Sequence, residues 1–196
     1  EADTVVGKRQ GKESVVFTMV ERITDHYIAI KIPGRNSAGV SQAMKQLHEQ
    51  YGDRFAQVFK TITADNGPEF ENFSNSESWG TRVYFAHPYS SWERPRNERH
   101  NGMLRDYIPK GESIEKYTDE EILSFADALN SRPRRVLAYH TPEELFETFL
   151  DKVYACWESL WINIFVQFAI AIYGFLQKQI IRKYYVIFQS TFIPFT

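Results

Sequence analysis

The sequence predicts an α/β domain: a mixed sheet with three antiparallel strands first and helices on both faces. Three observations carry this. The first 32 residues hold three β-rich runs joined by short turns, which implies antiparallel pairing. From Asn36 onward, apolar residues recur at helical spacing between short β-branched runs. A chain of 196 residues with 43% hydrophobic content is also large enough to bury one full core.

The first strand is predicted from Asp3 to Lys8, and Arg9-Gln10-Gly11-Lys12 turns the chain. Ser14–Val20 is almost wholly apolar and reads as a strand buried on both faces. Tyr27–Ile32 is the third strand, stopped by Pro33-Gly34. Asn36 or Ser37 can cap a helix with Val40, Met44 and Leu47 on one side, ending near Tyr51-Gly52. Val58–Thr63 forms a strand leading to Asp65, and Asn66-Gly67-Pro68 breaks it. A short helix follows over Pro68–Ser76, then a fifth strand over Val83–Ala86. Pro95 is tolerated only in a first turn, so the next helix starts close to Arg94 and buries Met103, Leu104, Tyr107 and Ile108. Thr118 and Glu121 form a capping box for another helix, and Thr141-Pro142 opens the one after it.

Three acids stand out against this frame. Asp65 ends a strand, where open α/β sheets place ligands; it is also the usual turn residue of an Asp-Asn-Gly sequence. Glu98 shares a polar helix face with Arg94, Asn101 and Arg105, a pattern that a solvated surface also produces. Asp3 lies on the first strand, close to where the chain begins. The balance of 23 basic against 25 acidic residues excludes a strongly basic nucleic-acid coat, so any such contact needs a local patch. A single cysteine, Cys156, excludes a disulfide framework and fits a reducing cytoplasm.

The runs Asp65-Asn66-Gly67-Pro68-Glu69-Phe70, His87-Pro88-Tyr89-Ser90-Ser91-Trp92-Glu93-Arg94 and Asn97-Glu98-Arg99-His100-Asn101-Gly102 occur in that order. Together they resemble the catalytic domain of IS30-family insertion-sequence transposases, within the DDE transposases and retroviral-type integrases. The resemblance covers about residues 1–155. It implies a ribonuclease H-like fold and a metal-holding triad of Asp3, Asp65 and Glu98. Pro95-Arg96 departs from the family, which more often has a Gly and a small polar residue there. The chain opens at Glu1 and reads as a fragment lacking the family's N-terminal helix-turn-helix region.

Three converging carboxylates imply two Mg²⁺ or Mn²⁺ ions, because Mg²⁺ takes oxygen ligands and the acids repel one another without a cation. The expected function is metal-dependent DNA cleavage and strand transfer during transposition, by an assembly of like subunits on transposon-end and target DNA. In a bacterial cytoplasm the protein would sit on the nucleoid when bound. A second reading is an inactive remnant that only binds DNA or intact subunits. Arg94, Arg96, Arg99, Arg105 and Lys110 are the candidates for phosphate contacts, with Arg132, Arg134 and Arg135 a further cluster. Asn66 and Asn97 could orient metal-bound water. His87 and His100 suit a hard cation poorly.

Residues 156–196 form a separate hydrophobic tail. Its uncharged stretch from Ser159 to Gln177 is long enough for a membrane span and is followed by Lys178, Arg182 and Lys183. Asn163 and Gln167 within it favour instead an aggregation-prone extension past the domain.

Overall fold

Strand β2 (Val15–Val20) organises the molecule: all six of its residues are buried. It pairs antiparallel with β1 (Ala2–Val5), setting Asp3 against Thr18, and with β3 (Tyr27–Ile32), setting Phe17 against Ile30. The computed structural model describes residues 1–8, 13–87 and 90–155. Glu1–Leu150 packs as one compact unit. The expected tail over 156–196, with Cys156 and the candidate span, lies outside the described residues. Among those described, no helix is long and apolar enough to cross a membrane.

Apolar side chains of β2 alternate between two layers, as strand geometry requires. Val16 and Val20 face a core completed by Tyr27, Leu104, Ile122 and Leu129. Phe17 points the other way, 6.4 Å from Phe73. That second layer is covered by α1 (Ser37–Tyr51), which buries Val40, Met44 and Leu47, and by the turn α2 (Phe55–Val58). The Asn36 side chain caps α1 by accepting from the Gly39 amide. On the first layer lie α3 (Pro95–Leu104) and α4 (Asp119–Asn130). Thr118 and Glu121 form the expected reciprocal capping box on α4. At the other end of α4, buried Asn130 donates to the Tyr27 carbonyl and accepts from its amide, locking the helix to β3.

Strands β4 (Thr61–Ala64) and β5 (Arg82–Phe85) pair in parallel, and β1 runs beside β4. The expected single mixed sheet is thus divided into a three-stranded and a two-stranded part. On the edge of β1 away from β2, the Ala2 carbonyl accepts from Arg94, the Thr4 amide donates to the Asp3 carboxylate, and the Val6 carbonyl accepts from Arg105. Side chains thus satisfy these edge groups. The short helix expected over Pro68–Ser76 is instead two 3₁₀ turns, Pro68–Phe70 and Phe73–Trp79. Phe70 and Phe73 are both buried and meet edge to face at 5.2 Å.

A last helix, α5, runs over 142–155 and opens on reciprocal bonds between Thr141 and Glu144. Its Phe146 stacks on His26 at 4.1 Å. Burial holds the His26 imidazole down at about pKa 4, against an ordinary 6.5. Between those values the unfolded chain binds more protons than the folded one, so stability falls as pH drops from 6.5 to 4. Denaturant midpoints across this range should show that fall, and His26→Phe, which can still stack on Phe146, should flatten it by up to about 3 kcal/mol. An unchanged pH slope in the variant would exclude His26 as its source.

Candidate active site

Asp65 follows β4 directly, and its Oδ1 accepts from the Gly67 amide at 2.9 Å. The turn chemistry read from the local sequence is therefore real, and it leaves Oδ2 for other partners. Asn66 donates to the Ala86 carbonyl at 2.6 Å, tying the turn to the end of β5. Asp3 stands in the middle of β1. Its Oδ1 accepts from the Thr4 amide at 2.8 Å and its Oδ2 from the Asn101 amide group at 3.1 Å.

The Arg94 guanidinium joins the two aspartates, 3.7 Å from Asp3 Oδ2 and 3.5 Å from Asp65 Oδ2. Burial is the main cause that lifts the Asp3 pKa above the ordinary carboxylate value; the charge of Asp65 adds to it and Arg94 opposes it. Two acids from separate strands thus share one cation in a partly desolvated place.

Glu98 lies in the first turn of α3 and is exposed. It precedes Asn101 by three positions, so it shares a helix face with a residue that bonds Asp3. Among the described residues no three His, Cys, Asp or Glu side chains are grouped closely enough to hold an ion. The donors fit a hard divalent cation in kind, being carboxylate oxygens gathered around a positive charge. Two of the three acids are brought together, and the third is one helical turn away.

The start of α3 explains that placement. Pro95 is its first residue, and the Arg94 cap has no side-chain bond to the helix. Glu1 supplies the cap from outside: its Oε2 accepts from the Arg96 and Asn97 amides at 3.1 and 2.9 Å. A carboxylate at a helix N-terminus satisfies free N–H groups and complements the dipole. The Pro95-Arg96 departure from the family therefore does not prevent the helix from starting there.

The basic candidates divide. Arg94 is tied to the aspartates. Arg96 forms an ion pair with Asp25, and Arg134 lies 3.6 Å from the same carboxylate. Asp25 is fully buried at a φ of 58°, a region costly for a non-glycine residue, and these two arginines neutralise it there. Arg105 donates to the Val6 carbonyl at 2.8 Å. Arg99 and Lys110 are exposed. His100 is buried between the Arg96 carbonyl at 2.6 Å and Arg134 at 2.5 Å, and His87 bonds Glu93 at 2.9 Å. Asn97 is buried with its side-chain amide unpartnered. Sequence reasoning missed Glu1 and Glu69. Glu69 sits inside the Asp65–Phe70 motif, which was its only signal, and the Glu1 cap has no local signal.

No family model matches the sequence. The chain is 40% identical over 147 residues to a probable transposase for the insertion-like sequence element IS1161 of Streptococcus salivarius, covering 75% of this chain and 41% of that protein. It is 34% identical over 154 residues to the IS4351 transposase of Bacteroides fragilis, covering 78% and 45%. It is 35% identical over 148 residues to the InsI transposase of IS30A from Escherichia coli, covering 75% and 37%. The chain thus spans less than half the length of these relatives. The catalytic core domain of BIV integrase superposes with a TM-score of 0.57 at 22% identity, over 78% of this chain and 95% of that one. This likeness shows the fold, the ribonuclease H-like arrangement of that core.

Removing the guanidinium should leave the aspartates to repel one another. Arg94→Gln is expected to lower stability in EDTA by about 1–3 kcal/mol, read from urea denaturation. A midpoint equal to that of the unsubstituted chain would show that Arg94 does not balance the acids.

Proposed function

The chain belongs to the family of IS30-type insertion-sequence transposases, and from that premise we propose that residues 1–155 form a metal-dependent catalytic core for DNA strand transfer. The observation that carries this is the meeting of Asp3 and Asp65, from separate strands, on the guanidinium of the residue that caps the Glu98 helix.

Asp3, Asp65 and Glu98 are the proposed ligands of two Mg²⁺ or Mn²⁺ ions. Such ions polarise the phosphate, generate the attacking oxygen at neutral pH and stabilise the leaving oxygen. The proposed reaction is phosphodiester transfer, in which water cleaves at the element's end and the freed 3′-hydroxyl attacks target DNA. It needs no nucleophilic side chain.

The chain's own groups contribute position. Asn101 fixes one Asp3 oxygen, and the Gly67 amide fixes one Asp65 oxygen. Arg94 places a positive charge between the two carboxylates. Arg99 and Lys110 are the candidates best exposed for DNA phosphates. Arg94, Arg96 and Arg105 could serve DNA only by leaving their present partners. The proposed partners are transposon-end and target DNA and further copies of the chain, and the proposed location is the bacterial cytoplasm, on DNA.

A cation that binds only the folded state stabilises it by about 2.7 kcal/mol at a hundred times its dissociation constant. Saturating Mn²⁺ should therefore raise the melting temperature of the chain, and Asp65→Asn should abolish the rise. Glu98→Gln should retain the EDTA melting temperature, because the side chain is exposed, and lose Mn²⁺-dependent joining of a labelled element-end oligonucleotide to plasmid. Absence of any Mn²⁺ shift in the cooperatively folded chain would overturn the proposal.

A further inference from the structure

Asp3 and Asp65 belong to parts of the structure that share no hydrogen-bonded ladder, so backbone pairing does not set the distance between them. Besides Arg94, a second side chain bridges that seam. Glu69 is buried in the first 3₁₀ turn after β4. Its Oε1 accepts from the Thr4 hydroxyl at 3.0 Å, on the residue next to Asp3, and from Arg35 Nε at 2.6 Å. Its other oxygen faces Asp65. A Cβ placed on Gly67 would lie 2.5 Å from Glu69 Oε2 and 2.9 Å from Asp65 Oδ1, so the two carboxylates flank the same point.

Oε2 is buried and has no hydrogen-bond partner among the described residues. A carboxylate oxygen left so costs stability unless something arrives to satisfy it. The two donors on this carboxyl, Thr4 and Arg35, are both engaged with Oε1, and the Asp65 carboxylate across the Gly67 position cannot donate when ionised. A water held by a hydrated cation can donate, and Mg²⁺ and Mn²⁺ sites commonly keep such waters.

We infer that Glu69 is a positioning residue of the cation site: its carboxylate clamps β1 to the turn after β4, sets the separation of Asp3 and Asp65, and offers Oε2 to a cation-bound water. The inference rests on the metal-dependent reading above. It extends the site to a carboxylate outside the Asp3–Asp65–Glu98 set. It also accounts for the lack of a side chain at Gly67. The φ of −66° there suits any residue, so what a side chain at this position would disturb is the two carboxylates and not the backbone.

The test is the Mn²⁺ affinity of the 196-residue chain, followed by electron paramagnetic resonance of free Mn²⁺, beside the melting temperature in EDTA. Outer partners of metal ligands typically change affinity by about 10–100-fold when lost. Glu69→Gln keeps the shape and is expected to weaken Mn²⁺ binding about tenfold or more in the folded protein. Thr4→Val removes the hydroxyl that holds Glu69 Oε1 and leaves every charge in place, and is expected to weaken binding in the same direction. A purely structural Glu69 would lower the EDTA melting temperature and leave the affinity of the folded protein unchanged; that result overturns the inference. If Glu69→Gln does not fold, Thr4→Val decides by the same criterion. If the unsubstituted chain itself binds no Mn²⁺, the metal-dependent reading fails and this inference goes with it. Unsubstituted binding that Asp65→Asn removes and Glu69→Gln does not refutes this inference alone.

Discussion

The structure depends on how β1 is held along α3. A strand of four residues cannot fix a helix by apolar packing alone, and here polar groups do so at helical intervals. The Asn97 amide meets the Glu1 carboxylate, Asn101 meets Asp3, and Arg105 meets the Val6 carbonyl, with Arg94 and the Ala2 carbonyl at the leading end. These positions recur every three or four residues, so one face of the helix runs along one edge of the strand. Glu98 is spaced four, three and seven positions from Arg94, Asn101 and Arg105, so it neighbours these contact residues along the helix. The same contacts satisfy backbone groups on the edge of β1 away from β2.

Like charges gathered in a partly desolvated place must be balanced. Arg94 balances Asp3 and Asp65, Arg35 balances Glu69, and Arg96 with Arg134 balances Asp25. This reassigns much of the basic character that the sequence shows near Glu98. A chain with net charge −2 has little surplus, and the structure commits three of its five nearest basic candidates to internal partners. Arg99 and Lys110 are what remains exposed for a polyanion, a smaller patch than residue types alone imply.

The fold was largely legible in the sequence because its signals are local. Tyr27–Ile32 was placed to the residue, Pro95 marked the start of α3, and Thr118 with Glu121 marked that of α4. The buried run of β2 announced the central strand. Missed were the two 3₁₀ turns that stand where one helix was expected, and the partners on the edge of β1, which come from 92 and 99 positions away. Of the site, Asp3, Asp65 and Glu98 came from resemblance, since each alone reads equally well as a terminal acid, a turn residue or a surface charge. Glu69 has no signal of its own beyond its place in the Asp65–Phe70 run, and its burial is what distinguishes it.

The cap on α3 has a consequence for how the site comes into being. Glu1 reaches the Asn97 amide across 96 positions of chain, and closing so long a loop carries an entropy cost that short-range contacts do not. A ten-residue helix with proline at its start has little stability in isolation. The segment bearing Glu98 thus gains its cap only once the opening strand is already seated in the sheet. Contacts within the central strands and α1 close short loops, while those that seat α3 on β1 close long ones, so the site bears more of the loop-closure cost than the sheet around it.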